Sequence, residues 1–176
     1  MDYKIHISGL KPGRYDYEFP VGKELFLEYG NAYIFDADLV AYVAMEKGGG
    51  WMNVSCHTKG TVTVECDRCL EDLVIPMDFT ADLAVKSAKI GEREEADDEL
   101  MIIDPSDGEV DLKQFIYDYI CLNLPLKKVH EEGGCNPEVL KKLNEMRADE
   151  EAPKDTDTYT PFGGLAAMLK NKDINN

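Results

Sequence analysis

Two short-spaced pairs of soft metal ligands, Cys66-x-x-Cys69 and His130-x4-Cys135, lie far apart in the chain. A fold that brings them together closes a tetrahedral site, and this requirement constrains the architecture more than any other feature does. Zinc favours thiolate sulfur and imidazole nitrogen, and structural sites use four such ligands with none left open. Cys66, Cys69, His130 and Cys135 supply a Cys3His set. Gly133-Gly134 permits the sharp turn needed to bring an imidazole and a sulfur to one ion. Cys135 directly precedes Asn136-Pro137, a cap and first helical position, and the partial positive charge of that helix end favours a thiolate. A bound ion would then staple a β-rich half to a helical half, and ligation adds directly to folding free energy. Iron accepts the same thiolate-rich geometry.

The remaining cysteines and histidines read differently. Cys121 sits on a helix as a small core residue, His6 is a surface residue, and Cys56 and His57 are adjacent in a strand, so they point to opposite faces. A redox role for Cys66 and Cys69 requires a strand feeding a helix, whereas strands flank this pair on both sides. An odd number of cysteines, five, favours thiols or ligands over a disulfide framework.

A chain of 176 residues holds one domain with a tail, and 44% hydrophobic residues are ordinary for a globular protein. No long apolar run spans a membrane and the first residues carry no signal-peptide core, which reads as cytoplasmic. The net charge of −16 repels nucleic-acid phosphates and attracts basic partners. It is uneven: Lys86 to Glu109 holds three basic residues against nine acids.

The expected fold is α+β, with a mainly antiparallel sheet or partly closed barrel in the first half and two or three helices after it. Ile75, Met77, Phe79, Ala81, Leu83 and Val85 alternate with polar residues as a half-buried strand does, and Pro76 marks an edge or bulge. Thr61 to Glu65 forms another strand, so Cys66–Cys69 lies in the turn between two strands, as in a zinc knuckle. Leu39–Met45 and Trp51–Thr58 form a hairpin through Lys47-Gly48-Gly49-Gly50. Beyond an acidic loop at 86–110, Leu112, Phe115, Ile116, Tyr119 and Ile120 make a helical stripe, begun by an Asp111/Gln114 capping box with Val110 stapled to Phe115 and stopped near Pro125. A second helix follows Asn136, with Val139, Leu140, Leu143 and Met146 on one face. The expected layout is one domain over 1–147, a flexible linker over 148–159, and a short docking helix and tail over 160–176 bearing Phe162 and Leu165.

Catalytic signatures are missing. There is no P-loop, dinucleotide fingerprint or nucleophile elbow, and Glu65 stands where the zinc-deaminase pattern needs proline. The expectation is a protein without enzymatic activity and without a small-molecule substrate.

Several motifs in order carry a resemblance. Glu-Cys-Asp-Arg-Cys-Leu at 65–70 after a Thr-Val-Thr-Val strand is similar to the signature of the bacterial YceD family, the large ribosomal RNA subunit accumulation proteins. The likeness continues through Glu109-Val110-Asp111-Leu112, Leu122-Asn123-Leu124-Pro125-Leu126 and His130-x4-Cys135. It ends at Thr160-Pro161-Phe162-Gly163-Gly164-Leu165, which resembles the family's terminal Asn-Pro-Phe-x-x-Leu with threonine keeping a capping residue at 160. The resemblance covers roughly residues 55–170 and implies a role in large-subunit rRNA accumulation, hence ribosome assembly. Family members are also described as predicted metal-binding and nucleic-acid-binding proteins.

The charge balance qualifies that implication, because extensive RNA contact works against a field of this sign. The expected partner is a basic ribosomal or RNA-processing protein, with Phe162 and Leu165 available for docking. Direct rRNA contact through Lys127 and Lys128, the basic cluster beside the ligands, is the rival. A zinc-dependent nucleic-acid-binding regulator and a redox-sensing regulator are the alternatives from other classes.

Overall fold

The computed structural model describes residues 2–87, 100–104 and 106–151, with side chains as far as Met146. The acidic residues 88–99, the linker beyond 151 and the segment 160–176 with Phe162 and Leu165 lie outside the described residues. The chain divides into two units, Met1–Asn136 and Pro137–Asn176.

The first unit is built on a five-stranded sheet in the order β2-β3-β4-β5-β6. Its strands are β2 (Gly13–Gly22), β3 (Ile34–Lys47), β4 (Trp51–Glu65), β5 (Asp72–Ser87) and β6 (Leu100–Ile103). The first four pair antiparallel, and β6 joins β5 in parallel. A second, two-stranded sheet pairs β1 (Lys4–His6) with β7 (Glu109–Asp111). Helices α1 (Lys23–Glu28) and α2 (Lys113–Leu122) complete this unit, and α3 (Pro137–Glu151) belongs to the second.

The sheet stays open. β2 and β6 are the terminal strands of the order and do not pair, so the partly closed barrel does not form among the described residues. Pro76 has no N–H to give, and β6 meets β5 only from Ala84 onward, so the proline sits where β5 is an edge, as its chemistry requires.

Alternation sends one face of each strand inward. Leu39, Ala41, Val43 and Met45 of β3 and Met77, Ala81, Leu83 and Val85 of β5 are buried. Burial of each such large side chain contributes about 1.5–3 kcal/mol. Leu112, Ile116 and Ile120 of α2 join this core, and Leu25 and Phe26 of α1, which follows β2 directly, plug it. The α1 region meets α2 through stacked rings of Tyr29 and Tyr117, 4.1 Å apart, and through a Glu28–Lys113 ion pair.

The helix start at Asp111 differs from expectation. β7 runs through Asp111, which pairs with Lys4, so α2 begins one residue later with Leu112 at the cap position. The Asp111 carboxylate accepts the Lys113 N–H at 2.9 Å, while Gln114 turns away to donate to Asp118 four residues on. No capping box closes, because the strand pairing fixes the backbone that the box would need. β6 and β7 also fall within the 86–110 stretch expected as loop.

Candidate metal centre

β4 and β5 form one long hairpin, and Cys66 to Glu71 make its turn. The Cys66 N–H donates to the Glu71 carbonyl at 2.9 Å and the Leu70 N–H returns to the Cys66 carbonyl at 2.9 Å. To close this turn Leu70 adopts a φ of 60°, the left-handed region that glycine or asparagine occupies at least cost. Among the described residues no other non-glycine has a positive φ.

The second ligand loop follows α2. Gly133 turns with a φ of 84°, and the Gly134 N–H closes on the Glu131 carbonyl at 3.0 Å. This loop is held against the hairpin turn at three places. The Asp67 N–H donates to the Lys128 carbonyl at 2.6 Å, and the Lys128 N–H donates to the Asp67 carboxylate at 2.6 Å. The Asn136 amide donates to the Glu71 carboxylate at 2.7 Å.

The four expected ligands therefore converge. Their ligand atoms all lie within 4.8 Å of one another. The Cys66 and Cys135 sulfurs are 3.9 Å apart, and His130 Nδ1 lies 3.4 Å from the Cys69 sulfur and 3.8 Å from that of Cys135. Two sulfurs about 2.3 Å from a zinc ion at the tetrahedral angle stand about 3.8 Å apart, and a sulfur and an imidazole nitrogen about 3.6 Å apart. The donor set and its spacing fit a tetrahedral ion such as zinc. All three cysteines are buried, and His130 is half-buried.

The imidazole is also oriented for ligation. Its Nε2–H donates to the Asp72 carbonyl at 3.1 Å, which leaves Nδ1 facing the sulfurs. Sequence reasoning missed this carbonyl and the Asp67 clasp, since neither backbone acceptors nor contacts across sixty residues leave a local signature.

The electrostatics differ from expectation at Cys135. Burial and the neighbouring Cys69 and Cys66 thiols push its pKa up. The readily ionised sulfur is Cys66. Burial opposes its ionisation, yet the turn's hydrogen bonds from Cys69 and Arg68 overcome that cost and bring its pKa to about 6. Burial likewise opposes charge on His130, but its contacts with Cys66, the Asp72 carbonyl and Cys69 raise its pKa.

The other residues singled out lie elsewhere. Cys56 is buried and its thiol is pushed up by burial, with Thr58 Oγ1 at 3.6 Å. His57 is on the opposite face, 2.8 Å from Asp78, and His6 is exposed. Cys121 is half-buried at the edge of the core. Lys127 is exposed, whereas the Lys128 ammonium lies 3.5 Å from Asp67.

A family model described as large ribosomal RNA subunit accumulation protein YceD matches residues 54–169, well over half of the chain. The chain belongs to the YceD family. The matched stretch opens inside β4 and contains both ligand loops, so all four candidate ligands lie within the YceD region. It leaves out β1, β2, α1 and β3, although β3 pairs with β4 from Ile34 beside Val64 to Lys47 beside Met52. No curated protein and no solved structure matches the chain.

Proposed function

We propose that this YceD protein supports accumulation of large-subunit rRNA as a non-enzymatic assembly factor, acting in the cytoplasm by holding a basic ribosomal or RNA-processing protein. The observation that carries the reading is the charge of −16 on a chain whose family is tied to an RNA product. A surface of that sign attracts cationic proteins and is repelled by phosphates, so it favours an indirect route to the RNA.

The metal centre supports a structural role. Zinc in this set would be held by Cys66, Cys69, His130 and Cys135, and would lock the hairpin turn to the loop after α2. Four protein ligands complete a tetrahedron and leave no position for a substrate or activated water, as structural sites do. Among the described residues no helix is long and apolar enough to cross a membrane.

The test is affinity purification of the tagged chain from growing cells after in-cell crosslinking. Recovery of basic large-subunit proteins, with loss at raised salt, is the expected result. Abundant, site-specific rRNA crosslinks to the protein itself would overturn the indirect route.

A further inference from the structure

The five-stranded sheet buries one face, and its other face is exposed along β2 to β5. Two adjoining hollows of about 630 and 620 Å³ open on that face and share Arg14, Ala44 and Ser55. Register explains them. Asp16, Ala44, Ser55 and Asp82 stand side by side on β2, β3, β4 and β5, so two small side chains form a floor between two acids. Three strand spacings separate the outer pair, about 14 Å, a width that accepts an α-helix about 10–12 Å across.

The charges around this groove are unequal in their pairing. Arg14 is 3.3 Å from Asp16, and His57 is 2.8 Å from Asp78, so the basic side chains lining it are already engaged. The side chains of Glu18, Glu46 and Asp82, which also line it, have no ion pair or hydrogen bond among the described residues. Tyr42, directly across from Glu18, keeps 45% of its surface exposed. An exposed aromatic ring beside an unpaired carboxylate is the pairing that receives a lysine or arginine side chain, through cation–π attraction and a charge-assisted hydrogen bond.

We propose that this open face of the sheet is the docking surface for a lysine- and arginine-rich segment of a partner protein, gripped by Glu18, Glu46 and Asp82 over the Ala44–Ser55 floor with Tyr42 beside it. The assignment rests on the preceding reading that the partner is a basic protein, and it places that partner on the sheet, away from the metal-bearing turn.

The experiment compares two charge-matched variants of the full chain by fluorescence anisotropy with a labelled lysine/arginine-rich peptide. One is E18Q/E46Q/D82N; the other, D2N/E24Q/E145Q, removes the same charge from exposed acids off the sheet. Each substitution keeps the side chain's size, and circular dichroism checks that both variants fold. The groove variant is expected to bind about tenfold more weakly than wild type, while the control changes little. Equal weakening in both variants overturns the groove while leaving the basic-partner reading intact. Failure of the wild-type chain to bind the peptide at low salt, or tighter binding of a single-stranded RNA of equal length, overturns both.

Discussion

Asp67 and Lys128 grip each other through their backbones and side chains at once: each donates its N–H to the other residue, at 2.6 Å in both directions. This clasp joins the two ligand loops by a route that needs no ion. Replacing Asp67 with alanine removes the acceptor of a charge-assisted bond and is expected to cost about 1–3 kcal/mol. Urea unfolding should show that loss in metal-free and metal-loaded protein alike, with stoichiometric metal still bound. A loss confined to the loaded form would mean that the clasp forms only around the ion.

Anaerobically purified protein is expected to carry one equivalent of zinc by mass spectrometry of the intact chain. Cys69→Ser and Cys135→Ser should each lose it and melt at lower temperature, because ligation free energy is folding free energy. Chelation of the wild type should lower the melting temperature in the same way. Full stability and a Cys66–Cys69 disulfide in the untreated protein would instead favour the redox reading.

Metal affinity should rise with pH. The proton held on Cys135 by burial and nearby thiols, and that held on His130 by its partners, must leave before either group ligates. Both folded-state pKa values are raised, so protons compete more strongly as pH falls. Competition against a chromophoric chelator across the neutral range should show tighter binding at higher pH, and a flat profile would contradict the assignment of these ligands.

Gly60 is a point of close backbone approach between β3 and β4. Its φ is +141°, and a Cβ there would stand 2.1 Å from the Asp38 carbonyl oxygen and 2.8 Å from the Leu39 Cα. Backbone cannot yield as a side chain can, so Gly60→Ala is expected to destabilise by about 2 kcal/mol or more. Thermal melts will read this directly, and a variant as stable as wild type would show that the strands separate there at little cost.

Leu70 offers the opposite case. Its side chain is 67% exposed, so little burial is lost on replacement, while its φ of 60° carries steric cost. Leu70→Asn should stabilise the protein by up to about 1 kcal/mol, since asparagine tolerates the left-handed region. Reduced stability would point instead to a contact made by the leucine.

The ligand set was legible because soft ligands at short spacing are rare and each pair sits between recognisable elements. The β4–β5 hairpin and the α2 stripe were equally plain, since Met77 to Val85 alternate and Phe115 to Ile120 recur at helical spacing. β2 hides a similar alternation in Tyr15, Tyr17, Phe19 and Val21 behind Pro20 and flanking glycines, residues that disfavour strands. The capping box at Asp111 failed because pairing with Lys4, over a hundred residues away, decides where the helix starts. The low pKa of the Cys66 thiol left no signal in the sequence for a related reason: hydrogen bonds in a turn favour its ionisation, and no periodicity encodes them.

The parallel placement of β6 sets Leu100 beside Ala84 and Ile103 beside Ser87. Both pairings lie at the far end of a β5 about 50 Å long from the turn that bears Cys66. Lengthening or shortening the stretch between Ser87 and Leu100 leaves the spacing of both ligand pairs untouched. A tag or fluorophore attached at this end of β5 therefore sits far from the centre and leaves it undisturbed.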